Sequence, residues 1–175
     1  MRCCVSCPAL RIVERAGLSI FGEKKRGRLR MVGWIVLILI AGVLAYVRLA
    51  PVDVDKWHNP QLPVMGPGEY PGVGRFVGQY VQEGDGRDAL ARLHAVALAT
   101  PHTQVIAGSP DAGKITYMTR SKVIGFPDFS TVTLTPLPGT GKSTLQLFGR
   151  LRFGKADFGV NEARMKYWAD RADLK

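Results

Sequence analysis

Leu145–Arg164 reads LQLFGRLRFGKADFGVNEAR. Leu145, Leu147, Gly149, Leu151 and Phe153 recur at every second position. That period predicts a long strand, with Arg150 and Arg152 on the face opposite Leu151 and Phe153. Lys155–Gly159 then reads as a loop, and Asn161 as the cap of a closing helix. Met165, Trp168, Ala169 and Ala172 follow at i, i+3, i+4 and i+7, the stripe of a helix with one buried side. One short stretch thus joins strand to loop to helix.

Working backward, the same alternation recurs. Pro138–Lys142 is a turn, Thr131–Leu137 a strand, and Gly125-Phe126-Pro127-Asp128 a break that holds Asp128. Ile115, Tyr117 and Thr119 mark another strand. Ser109–Gly113 is a turn, and Thr103–Ala107 is short and β-prone. Connections this short favour antiparallel neighbours. Upstream, Asp85 reads as the cap of a helix carrying Leu90, Leu93 and Ala97, which Pro101 ends. Phe76–Gln82 is a candidate first strand. The prediction for residues 76–175 is an α+β domain, an antiparallel meander sheet packed by two helices.

Residues 51–75 hold prolines at 51, 60, 63, 67 and 71 and glycines at 66, 68, 72 and 74. This composition predicts a semi-extended linker without helix or interior strand. Trp57 fits either an interfacial aromatic or a residue packed on the domain.

Before the linker, Met31–Val47 (MVGWIVLILIAGVLAYV) carries no charge. A helix over Met31–Ala50 spans roughly 30 Å, the thickness of a bilayer core. Arg48 reaches the interface by snorkelling. The exit Val47-Arg48-Leu49-Ala50-Pro51 has arginine where a cleavage site wants a small residue, and proline straight after, so the reading is an anchor rather than a signal peptide. Lys24, Lys25, Arg26, Arg28 and Arg30 precede the span, and only Arg48 and Lys56 follow closely. Residues 1–30 are therefore expected to be a basic cytoplasmic tail. The domain is then periplasmic, with the helix single-pass in the inner membrane of a bacterium. A translation start at Met31 is an alternative that would remove the tail.

The net charge is +10, but residues 1–50 hold nine Lys/Arg against Glu14 and Glu23, and residues 51–175 hold fifteen against twelve acids. The excess sits at the tail, as a topology signal, and no nucleic-acid partner is expected. Cys3, Cys4 and Cys7 all lie in the tail. Cys4-Val5-Ser6-Cys7 has neither the second pair of a zinc site nor the strand–helix context of a redox motif.

Gly139-Thr140-Gly141-Lys142-Ser143 ends like a phosphate-binding loop. It lacks the first glycine, and a strand follows where a helix is needed, so it reads as a hairpin turn. His58, His94 and His102 show no metal-ligand spacing, and no metal or cofactor is expected. The polar density lies in Arg120, Asp128, Arg150, Arg152, Asp157, Asn161 and Arg164. An arginine-rich sheet face with carboxylates at its edge suits an anionic ligand or lipid head group. The competing reading is an internal polar network that fixes loop and helix to the sheet.

Thr119-Arg120-Ser121, Gly125-Phe126-Pro127-Asp128 and Phe153-Gly154-Lys155-Ala156-Asp157-Phe158-Gly159-Val160-Asn161-Glu162-Ala163-Arg164 resemble the bacterial family called domain of unknown function 1499, which has plant plastid members. Gly154, Asp157, Gly159, Asn161 and Arg164 keep its pattern. Ala156 stands where serine is usual, and Gly149 and Leu151 where serines are frequent. The resemblance covers about Gly74–Leu174 and implies no activity. The expectation is a membrane-anchored extracytoplasmic binding or interaction module. The bilayer, through Met31–Ala50, and an anionic ligand or another membrane protein are its expected partners. The alternative is a small tethered hydrolase using Asp157 and Arg152.

Overall fold

A computed structural model describes residues 13–61 and 65–174, with side chains placed from residue 27 onward. The cysteine cluster and Pro63 lie outside the described residues. Contacts divide the chain into Met1–Tyr46 and Val47–Lys175.

The first unit is carried by helix α1, Val13–Leu49, which runs on past the unit boundary. Its stretch Gly27–Leu49 is 23 residues, long and apolar enough to cross a membrane. The large apolar side chains from Met31 to Leu44 are exposed. A helix apolar on all sides and unburied is what a bilayer accommodates.

The second unit is a six-stranded antiparallel sheet with helices, an α+β fold. Its strands are β1 (Gly68–Gly72), β2 (Arg75–Glu83), β3 (Thr103–Ser109), β4 (Lys114–Arg120), β5 (Pro127–Leu137) and β6 (Lys142–Leu151), in the order β1-β2-β6-β5-β4-β3. β3 to β6 form the expected meander. β2 pairs with the far side of β6, so helix α3 (Arg87–Ala99) carries the chain from one side of the sheet to the other. Helix α4, Val160–Arg171, closes the domain.

Sheet periodicity assigns the two faces. Phe76, Ile115, Tyr117, Val132, Leu145 and Leu147 pack with Leu90, Leu93 and Ala97 of α3 and Met165 and Trp168 of α4 as the main core. Trp168 Nε1 donates to Thr100 Oγ1 at 2.8 Å, which ties α4 to the end of α3. Gly149 lies under α4. A Cβ there would stand 3.0 Å from Met165 Cγ, so the absent side chain permits this close approach.

The opposite face differs most from expectation. Residues 51–75 are not a bare linker. They hold helix α2 (Val54–His58) and edge strand β1. Asp53 caps α2 by accepting from Lys56 N at 3.1 Å. Pro71 is tolerated because β1 is an edge. The Trp57 ring stacks on Phe129 of β5 with centroids 4.0 Å apart, so α2 covers the second sheet face. A helix of this length gains nothing from propensity; tertiary packing holds it.

Other boundaries also move. The cap position of α3 is Gly86, not Asp85, whose Oδ1 still accepts from Arg87 N at 3.1 Å. β5 starts at Pro127, so Asp128 lies within a strand rather than in a break. β6 ends at Leu151. The cap position of α4 is Gly159, not Asn161, which sits one position inside the helix beyond Val160 and is fully buried.

Candidate functional site

The seven expected site residues fall into two groups on opposite sheet faces. In the β5–β6 register, Asp128 lies opposite Leu151 and Phe129 opposite Arg150. Neighbours on a strand point to opposite faces. Asp128 therefore faces α4 and Arg150 faces α2.

On the α4 face the polar side chains form a chain. Asp157 Oδ2 accepts from Asn161 N at 2.8 Å and Asn161 Nδ2 at 2.7 Å, and its Oδ1 accepts from Gly159 N at 3.3 Å. Asn161 Oδ1 accepts from Arg164 Nη1 at 3.1 Å, and Arg164 Nη2 pairs with Asp128 Oδ2 at 3.0 Å. The chain joins the loop after β6 to α4 and α4 to β5. Asp157 acts as the cap of α4, satisfying N–H groups at its positive end. Burial works to raise the Asp157 pKa, but the hydrogen bonds from Asn161 and Gly159 outweigh it and hold the carboxyl below its ordinary value. Asp128 goes the other way. Burial raises its pKa against the opposing pull of Arg164, and the Asp157 charge adds to the rise.

On the α2 face the arginines bind main-chain carbonyls. Arg150 Nη2 donates to Trp57 O at 2.6 Å and to Thr131 Oγ1 at 2.8 Å. Its guanidinium lies over the rings of Phe148, at 4.5 Å, and of Trp57, at 5.0 Å. Arg152 donates to Ala50 O at 3.3 Å and Pro51 O at 2.6 Å. Arg120 donates to Arg48 O at 3.3 Å and Gly125 O at 3.1 Å. All three hold the segment that follows the apolar run. Arg48 O and Trp57 O lie in the last turns of α1 and α2, where carbonyls lack intrahelical donors and carry the helix's negative end, so a guanidinium suits them. Among the described residues, none of the three has a carboxylate within ion-pair distance. Burial lowers the Arg150 pKa to about 10, which leaves it charged at neutral pH.

A hydroxyl chain completes this face. Thr131 Oγ1 donates to Trp57 O at 3.0 Å and lies 3.1 Å from Thr116 Oγ1, which lies 3.0 Å from His58 Nδ1. Thr131 has one proton, and Trp57 O takes it. Thr116 must then donate to Thr131 and accept from His58, which fixes the proton on Nδ1.

Sequence reasoning missed Trp57 O, Ala50 O and Pro51 O as the partners of the arginines. Main-chain acceptors have no sequence signature. It also missed the cavity of about 360 Å³ lined by Arg48, His102, Arg120, Ser121, Lys122 and Gly125. The pairing of Arg48 with a loop distant in sequence hid that site. Among the described residues, no group of three metal-ligating side chains comes together.

The Asp157–Asn161–Arg164–Asp128 chain falls within the stretch matched by a family of proteins of unknown function, DUF1499, whose model covers residues 74–171. The chain belongs to the DUF1499 family. The match takes in both helices of the main core and five of the six strands, from β2 onward, and leaves α2 and β1 outside. No curated protein matches this DUF1499 chain.

Proposed function

We propose that this DUF1499 protein is a binding or interaction module anchored by α1 in the cytoplasmic membrane of a bacterium, with its sheet domain on the periplasmic side. The observation that carries the reading is the stretch Gly27–Leu49 of α1, long and apolar enough to cross a membrane. The basic run Lys24–Arg30 before the span and the sparser Arg48 and Lys56 after it support the orientation. A holding role, rather than a bond-making one, is supported by how the polar groups are spent. Asp157 has one carboxylate oxygen on Asn161 of α4 and the other on Gly159 at its cap position, and Arg152 has both terminal nitrogens on Ala50 and Pro51.

The test is a full-length chain carrying alkaline phosphatase at its C-terminus in one strain and a fluorescent protein in another. The reading expects a carbonate-resistant membrane pellet, an active phosphatase and a dark fluorescent fusion. A soluble fusion, or fluorescence with inactive phosphatase, would defeat it.

A further inference from the structure

We infer that the cavity lined by Arg48, Arg120, Lys122 and His102 binds the headgroup phosphate of an anionic phospholipid, which deepens the membrane-anchor reading and rests on it. Arg48 directly follows the apolar run, so in a spanning chain it lies at headgroup depth. The lining adds Ser121 and Gly125 and holds no carboxylate among the described residues. Its cations are therefore not neutralised from within.

The geometry leaves donors available. Arg48 uses Nε on Ile124 O at 3.3 Å and Nη2 on Val123 O at 3.5 Å. Arg120 uses one terminal nitrogen on Gly125 O and the other on Arg48 O. Each guanidinium keeps further N–H groups for a phosphate oxygen. The Lys122 ammonium has no hydrogen bond or ion pair among the described residues. His102, at φ 60, lines the cavity from the turn that precedes β3, and its carbonyl is held by Arg120 N at 3.0 Å. Gly125, at φ +84, lets the Arg48 side chain lie close; a Cβ there would stand 3.1 Å from Arg48 Nε.

Apolar groups beside the cations favour a lipid over a free anion. The loop that Arg48 grips carries Val123, 83% exposed, and Ile124, 39% exposed. Held next to an interfacial arginine, these side chains reach acyl depth while the cations meet the phosphate. Cations with adjacent exposed apolar residues are the pairing that an anionic membrane surface selects.

The experiment uses the purified full-length chain in detergent, titrated with phosphatidylglycerol and read by native mass spectrometry. Phosphatidylcholine and inorganic phosphate are the comparison ligands. Lys122→Gln and Arg48→Gln are expected to weaken phosphatidylglycerol binding by roughly fivefold each. Arg171→Gln on α4 should leave it unchanged, and inorganic phosphate should not displace the lipid. Melting temperatures check that the variants fold. If Arg48→Gln does not fold, Lys122→Gln carries the test alone. Equal phosphatidylglycerol binding by wild type and Lys122→Gln would overturn the site. Displacement by inorganic phosphate would reassign it to a soluble anion. A chain that resists carbonate but binds phosphatidylglycerol no better than phosphatidylcholine loses the site and keeps the anchor. A chain that carbonate extracts loses both.

Discussion

Arg164 and Asp128 meet with side chains only 11% and 15% exposed. Removing such charges from water costs several kcal/mol per ion, and attraction within the pair offsets that cost only in part. The raised Asp128 pKa expresses the same imbalance, since burial outweighs the arginine. Two consequences follow for unfolding in urea. Asp128→Ala or Arg164→Met leaves one charge buried alone and should cost about 3 kcal/mol. The double change Asp128→Leu with Arg164→Met should return to within about 1 kcal/mol of wild type. A double mutant as weak as the sum of the singles would show that the pair stabilises the fold outright. The residue types of this pair were readable in the sequence. Their partnership was not, because β5 begins earlier than its alternation suggested and thereby turns Asp128 toward α4.

At the scale of elements, α4 depends on a carboxylate outside its own span. Gly159 at the cap position offers no side chain, so Asp157 supplies the acceptor. Its pKa is held below the ordinary 3.8, so its contribution is fully present above that pH and is lost as pH falls through the lower folded value. Asp157→Asn should therefore destabilise the domain at neutral pH by about 1 kcal/mol. The gap from wild type should close as pH drops below 3.8, when the wild-type carboxyl protonates too. A gap independent of pH would remove the charge from the explanation. Alternation revealed β4 and β6, and helical spacing revealed α3 and α4, because each sets large apolar residues at a regular spacing on the side that meets the main core. α2 offers no such period. It is five residues long, with Trp57 as its anchor to the sheet. Its stability comes from Phe129 and from Arg150 and Thr131 donating to Trp57 O, and neither leaves a pattern in residues 51–75.

At the scale of the whole molecule, the sheet is covered on both faces by different means. α3 and α4 bury apolar side chains on one. On the other, Arg120, Arg150 and Arg152 clamp the residues that continue the apolar helix. The arginine-rich face was visible in the sequence as a binding surface. Two of its arginines hold the protein's own segment between Ala50 and Trp57, and Arg120 alone also lines the cavity beside Arg48. Such a clamp makes residues 47–72 part of the domain rather than a tether to it. Cutting them away would strip the Trp57 ring from Phe129 and from Arg150, and would leave Arg150 on the Phe148 ring without its carbonyl acceptor, so apolar surface is uncovered and a cation loses its partner. The most direct test compares urea unfolding of residues 47–175 with that of residues 74–175. The account predicts that the shorter chain loses about 3 kcal/mol or more, or no longer unfolds cooperatively. Equal midpoints and equal urea dependence would contradict it and return residues 51–73 to the role of a linker.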